Sequence, residues 1–388
     1  IYESPDDATA RTRLKEAGDA IAEVQASGVV TSTVDGRQRF EAMQREYDRA
    51  RSAIQRISYF DDIAEVARNP LPGARFDSVI VPPPPRGITE TETFGSVYIL
   101  DADAAILYKQ PRAGGPLQAL LKSTDTFGPL SVGTIYGVAW RFDTIVAVTH
   151  SNEGGPYTYY FLNGNTWNYS ILAGSEEWGR GGERFRIANY EGNLYVWGAQ
   201  ASQVLRYLSG QYGEFPLPWI LDDGGKQFEN ALDISVDGKI YLLQPDGHVL
   251  VFSSDKGERS FEREIAPQGI EPPLTTVSRF FITGDSESGS IFLVDGYNSR
   301  IIQVDKATGE FVQQIKARPD GPVQLDNLLN VFVDTSTSRP MLYLVNGSQI
   351  LRSALPDQPR PFREATGTPG ATPESQASPT PEPTSSTP

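Results

Sequence analysis

The spacing of apolar residues changes twice along this chain, and the changes divide it into three zones. In residues 1–70 the spacing is helical. Ser4-Pro5-Asp6-Asp7 offers a hydroxyl cap, a proline in the first turn and an acid three residues on, and Leu14, Ala17, Ile21 and Val24 then follow at three- and four-residue steps up to Gly28. Phe40, Met43, Tyr47, Ala50, Ile54 and Ile57 form a second seam among charged residues that include Arg37, Glu41, Arg45 and Asp48. Two apolar positions per heptad make a stripe too thin for a buried helix. The pattern therefore predicts a helical hairpin or stalk over 1–70, with Ile63, Val66 and Ala67 as a short third helical piece ending at Asn69-Pro70. Such helices pair with each other or pack on the next domain, or else project as a membrane-proximal or dimerising stalk.

In residues 71–355 the period falls to that of β-strands, and a longer repeat rides on it. Apolar first strands recur at Ile88, Ile135, Arg184, Ala231, Val277 and Leu328, in steps of 47, 49, 47, 46 and 51. Second strands repeat one pattern, small or polar, aliphatic, aromatic, aliphatic: Ser96-Val97-Tyr98-Ile99, Asn193-Leu194-Tyr195-Val196, Lys239-Ile240-Tyr241-Leu242, Ser290-Ile291-Phe292-Leu293 and Met341-Leu342-Tyr343-Leu344. The gaps between strands are turns of Gly, Asp and Asn, too short for crossover helices. The predicted fold is all-β: a six-bladed β-propeller of four-stranded blades. The last unit runs out of chain three strands in, so the segment 75–81, ahead of Pro82-Pro83-Pro84-Pro85, is expected to supply its missing outer strand.

The third zone, residues 356–388, is rich in Pro, Thr and Ser and almost without large apolar side chains, so it is expected to be a disordered tail. Tails of this composition act as spacers outside cells. The chain begins with Ile1, which suggests a processed or excised segment, and no run approaches the roughly 18 apolar residues of a membrane span. Membrane association is thus expected only through a segment outside this chain. With 34 Lys and Arg against 49 Asp and Glu, the net charge of -15 argues against nucleic acid as a partner. The absence of cysteine removes disulfides, thiolate metal sites and thiol nucleophiles. No phosphate-binding glycine loop, His-Glu-x-x-His or Gly-x-Ser-x-Gly elbow occurs, and no cofactor, metal or catalytic residue is assigned.

The fifth repeat, Gly289-Ser290-Ile291-Phe292-Leu293-Val294-Asp295-Gly296-Tyr297-Asn298-Ser299-Arg300-Ile301, resembles the NHL repeat, a β-propeller blade motif with the pattern Asp-x-x-Asn-x-Arg-Ile. The first repeat keeps Asp101 but has Ala104 and Ile106 at the Asn and Arg positions, and blades 2 and 3 depart furthest. The resemblance implies a propeller in which Asp295, Asn298 and Arg300 are structural. The order of helices, propeller and Pro/Thr-rich tail also resembles the extracytoplasmic part of bacterial membrane-anchored signalling proteins, including PPM-type phosphatases. That implies an extracytoplasmic, membrane-associated setting, with any catalysis in sequence outside this chain.

Within the propeller, all five tryptophans, Trp140, Trp167, Trp178, Trp197 and Trp219, fall in blades 2 and 3 and their crossings. Trp178 follows Glu176 and Glu177, and Trp219 precedes Asp222 and Asp223, each beside glycines. These indoles either cap the blade cores or stand exposed as a platform for a sugar, a peptide or a protein loop. His150 and His248 are expected on the same loop face, solvated or locally hydrogen bonded. The expected role is therefore a non-catalytic binding or sensor propeller. Its binding face would comprise Trp178, Trp219, Glu176, Glu177, Asp222, Asp223, His150 and His248 on blades 2 to 4, offered to a protein, peptide or glycan. The competing reading is a metal-dependent propeller hydrolase or lyase with its site in or above the central channel.

Overall fold

In the computed structural model the described residues are 7–28, 33–84, 92–178, 185–200, 203–254 and 258–359. They fall into two compact units, one within residues 7–54 and the other within 55–359, so the propeller begins earlier than the expected boundary at 71. The shift comes from two short strands: residues 57–59 and 64–68 are β, and both join propeller sheets. Of the tail expected to be disordered from 356, Pro356 and Asp357 are held on the propeller, their carbonyls accepting from Gln313 Nε2 at 3.3 Å and Ser58 Oγ at 3.2 Å; residues 360–388, and the cap at Ser4, lie outside the described residues.

The first unit is a helical hairpin. Helix α1 spans Asp7–Ser27 and stops at Gly28, whose φ of 67° an L side chain rarely adopts, and α2 spans Val34–Ile54. Ala10, Leu14, Ala50 and Ile54 form its core, with Tyr47 packed against them.

The second unit is a closed ring of six blades, each with four consecutive strands or their equivalent. From the channel outward, blade 1 is Ser78–Ile80, Ser96–Asp101, Ile106–Pro111 and Gln118–Lys122. Blade 2 is Thr134–Arg141, Thr144–His150, Thr158–Asn163 and Thr166–Ile171, and blade 3 is Arg186–Tyr190, Asn193–Gln200, Gln203–Tyr207 and Leu217–Pro218. Blade 4 is Asp233–Val236, Ile240–Leu243, Val249–Ser253 and Ser260–Ile265. Blade 5 is Phe280–Ile282, Ser290–Asp295, Arg300–Asp305 and Phe311–Lys316. Blade 6 supplies Leu328–Asp334, Met341–Asn346 and Gln349–Ala354. Each innermost strand touches the innermost strand of the next blade, and the sixth returns to the first. Six apolar clusters fill the six seams between blades, one per seam, so the core is itself a ring.

Closure differs from the expectation in which strand makes it. Strand β1 (Ile57–Tyr59) adds in parallel to the outer edge of blade 5, with Ile57 opposite Gln314. Strand β2 (Ala64–Arg68) then pairs antiparallel with Gln349–Ala354 and completes blade 6. Residues 75–81, expected in that role, instead supply the innermost strand of blade 1, where Val79 lies opposite Ile99. Burial explains the exchange. Val79, Ile80 and Val81 are all buried, which suits a strand between channel and blade, whereas β2 buries only Ala67 and turns Ala64, Glu65 and Arg68 to solvent, as an outer edge requires. The expected third helical piece at Ile63, Val66 and Ala67 is this same strand. The expected first strand of blade 1 at Arg86–Ile88 lies outside the described residues.

Candidate binding rim on blades 2 and 3

The expected platform loses its tryptophans. Trp178 is 3% exposed and sits in the seam between blades 2 and 3, its ring 5.3 Å from those of Tyr157 and Phe185. Trp219 is equally buried in the seam between blades 3 and 4, and its backbone N–H donates to Val204 O at 2.8 Å. Neither is a surface residue, because an indole placed where the chain crosses between blades is the side chain large enough to fill the wedge there.

The expected acids meet different fates. Glu176 is exposed in a short 3₁₀ turn, Ser175–Glu177, while the side chain of Glu177 lies outside the described set. Asp222 and Asp223 are exposed and cap their own turn, accepting from Gly224 N at 2.9 Å and Gly225 N at 2.8 Å. Asp222 also splices blade 3 to blade 4: its N–H donates to Arg259 O at 3.2 Å, and its carbonyl accepts from Phe261 N at 2.9 Å.

The histidines are locally engaged. His150 Nε2 lies 2.9 Å from Gly155 O, and its ring packs 4.4 Å from Tyr157. His248 Nδ1 lies 2.7 Å from Glu264 Oε1 and 3.6 Å from Asp246 Oδ2. Lys226, followed by His248, holds the Glu264 carboxyl below its ordinary value. No contact among the described residues joins the two histidines, and no three of His, Asp and Glu there converge as metal ligands.

What sequence reasoning missed is aliphatic and phenyl surface on the same blades. Eight large apolar side chains of the propeller are exposed among the described residues: Leu71, Phe142, Tyr169, Ile171, Phe215, Leu217, Leu221 and Tyr297. All but Leu71 and Tyr297 belong to blades 2 and 3, and Phe215 is the most exposed of those, at 79%. Phe215 lies over Gly174, where an added Cβ would come within 2.8 Å of its ring; this joins the end of the outer strand of blade 2, with Tyr169 and Ile171, to the segment carrying Phe215 and Leu217. In the sequence the only trace is the crowding of Phe215, Leu217 and Leu221 around Trp219; two-residue alternation does not sort them, since Trp219 shares their parity and is buried together with Ile220. Glu176, Glu214, Asp222 and Asp223, all exposed, flank this strip in sequence.

The edges of the blades sharpen the picture. Blade 5 is covered by β1, blade 6 by β2 with Glu65 and Arg68, and blade 4 presents Glu262, Arg263 and Glu264. Blade 3 ends in Pro218 and blade 1 in Lys122. The outer strand of blade 2, Thr166-Trp167-Asn168-Tyr169-Ser170-Ile171, has neither charge nor proline.

The channel is built differently. Asp77, Arg186, Asp233, Arg279 and Asn330 line one cavity of about 230 Å³ together with apolar Val138, Phe281 and Phe332. Arg279 Nη2 donates to Asp77 Oδ1 at 3.2 Å, and Asn330 Nδ2 donates to Asp77 O at 3.1 Å. Asp233 accepts from Ile234 N at 3.1 Å and from Phe280 N at 3.4 Å, which ties blade 4 to blade 5. Burial pushes its carboxyl above the ordinary value, while Arg279 and Arg186 pull the other way. Asp295, Asn298 and Arg300 are structural, as expected. Arg300 is fully buried, with Nε on Asp295 Oδ2 at 2.7 Å and Nη1 on Gln314 Oε1 at 2.7 Å, and Asn298 Nδ2 donates to Asp295 Oδ2 at 2.8 Å.

Taken together, strand order and seam packing define a six-bladed β-propeller preceded by a two-helix hairpin. No family model and no curated protein matches the chain. Among solved structures, it is similar to a protein of unknown function from Bacteroides thetaiotaomicron, at 12% identity over 76% of this chain and 74% of that one, with a TM-score of 0.49. An auxiliary nutrient binding protein from the same organism is 12% identical over 72% and 69%, with a TM-score of 0.47. The major allergen of Malassezia sympodialis is 13% identical over 73% and 96%, with a TM-score of 0.46. The architecture rests on the strand order above and not on these likenesses. No helix among the described residues is long and apolar enough to cross a membrane.

Proposed function

We propose that this chain is a non-catalytic binding propeller that takes a protein or peptide on the outer rim of blades 2 and 3. The observation that carries the reading is the concentration of exposed apolar side chains there, Tyr169, Ile171, Phe215, Leu217 and Leu221, beside an unguarded strand edge. Large apolar groups facing water on one sector of an otherwise polar rim mark a surface meant to be covered. The neighbouring acids Glu176, Glu214, Asp222 and Asp223 favour a partner segment that is apolar with basic flanks, whose binding weakens as salt rises. The role proposed for blades 2 to 4 from sequence thus keeps its sector and its carboxylates and exchanges its tryptophans.

The test is a photo-crosslinking residue placed at Phe215 and, separately, at the equally exposed Tyr297 on blade 5, in the protein's native cells. A discrete adduct at 215 and none at 297 is expected; equal labelling, or none at either, refutes the rim.

The wider setting belongs to the same proposal. The Asp295, Asn298 and Arg300 motif supports an NHL-like propeller, and the Pro/Thr/Ser-rich end supports an extracytoplasmic location with a membrane anchor outside this chain. A second reading places a small ligand in the channel, favoured by the convergence of two arginines and two aspartates on one cavity. Aspartates set beside arginines suit an anion or a zwitterion better than a metal cation, which weighs against the metal-dependent hydrolase. Metal analysis of protein purified without chelator checks this: a stoichiometric ion lost in Asp233→Asn would restore the hydrolase reading.

A further inference from the structure

The α1–α2 hairpin carries more apolar surface than it covers. Its core is the four residues named above, and Tyr47 reaches over Gly18, where an added Cβ would lie 2.6 Å from the tyrosine oxygen. Beside that core runs an open cleft of about 410 Å³ lined by Ala17, Ala20, Ile21, Val24, Met43 and Tyr47, with Met43 43% exposed. Two 21-residue helices with so small a core are marginal by themselves.

The order of charges says what covers the cleft. On α1, Arg11, Arg13 and Lys15 precede Glu16, Asp19 and Glu23, and the last turn holds no basic residue. Asp7 suits the N-terminal end of the helix dipole, whose influence fades beyond the first turn, so what α1 leaves uncompensated is the separation of this basic half from the acidic half that follows it. Helix α2 has the favourable order, Asp35 in its first turn and Arg51 in its last. It does not offset α1, because Ala10 and Leu14 pack with Ala50 and Ile54, which puts Arg49 and Arg51 near the basic half of α1. An antiparallel second α1 does offset it, setting acidic half against basic half twice over.

We propose that the partner is a second copy of this chain, docked by two-fold symmetry so that the two hairpins form an antiparallel four-helix bundle through this cleft. A two-fold axis passing near Gly18 brings Arg13 beside Glu23 of the second copy and Thr9 beside its Ser27. The bundle is independent of the rim on blades 2 and 3.

The chain has no cysteine, so single engineered cysteines report directly. On oxidation Ala20→Cys, near the axis, links to itself; Ser27→Cys, far from it, does not, but a mixture of Thr9→Cys and Ser27→Cys gives the mixed dimer. Sedimentation of the full chain shows a dimer, which added salt weakens. Ala20→Glu with Met43→Glu weakens it about tenfold or more while leaving the melting of the propeller unchanged. A chain that stays monomeric at high concentration, Ser27→Cys that self-links as readily as Ala20→Cys, or a dimer that survives the double glutamate variant would each overturn the proposal.

Discussion

Blades 6 and 2 are built from the same four-strand plan and end in opposite ways. Blade 6 borrows β2 from the start of the chain, and the borrowed strand shows Glu65 and Arg68 to water. Blade 2 ends in its own fourth strand, uncharged, with Tyr169 and Ile171 facing out. One edge is sealed by the fold and the other is left available, so the difference separates closure, which is a stability device, from recognition, which tolerates an exposed edge.

The comparison breaks most visibly at the seal. Deleting Ala64–Arg68 should cost about 5 kcal/mol or more and lower the melting temperature of the whole propeller, because it strips blade 6 of a strand and removes Ala67 from the seam with blade 1. Unchanged calorimetric unfolding would show that closure lies elsewhere. Next comes the buried pair in blade 5. Arg300→Ala leaves the fully buried Asp295 carboxyl without its ion-pair partner, held by Asn298 alone, and should cost about 4 kcal/mol in denaturant unfolding, against the near-zero effect of a surface ion pair such as Lys15 with Asp19.

Trp178→Ala should cost about 3 kcal/mol through the cavity it leaves in the seam of blades 2 and 3. Phe215→Ser, on the same blades, should change stability by no more than about 0.5 kcal/mol and yet abolish rim binding. If the two variants melt alike, the distinction between core and rim on these blades fails.

The smallest effect is in the channel. The Asp233 carboxyl is raised in the folded state, so the stability linked to its bound proton is present below its unfolded value and is lost as pH rises through the folded one. Wild type should therefore lose stability relative to Asp233→Asn between acid and neutral pH. Parallel pH curves for the two proteins would mean that Arg186 and Arg279 offset the burial completely.

The blade count was legible because the aliphatic-aromatic-aliphatic second strands are buried on both sides and need little context to be recognised; Ser96–Asp101 and Ser290–Asp295 stand where expected. The seal was not legible. Ala64-Glu65-Val66-Ala67-Arg68 has the composition of a helix, and only the free edge of Gln349–Ala354 makes it a strand. Trp178 and Trp219 misled for a related reason: flanking glycines mark a loop, but whether a loop side chain points inward depends on the gap between two blades, which no local pattern encodes.

The route of β2 also orders events during synthesis. Glu65 and Gln349, which meet across the finished seam through a side-chain hydrogen bond, are 284 positions apart. An early-made segment must wait while five blades emerge from the ribosome, and the ring can latch only when the sixth arrives. The charged residues of that waiting segment are thus as useful before closure as after it, since they keep a lone strand from pairing with the wrong neighbour.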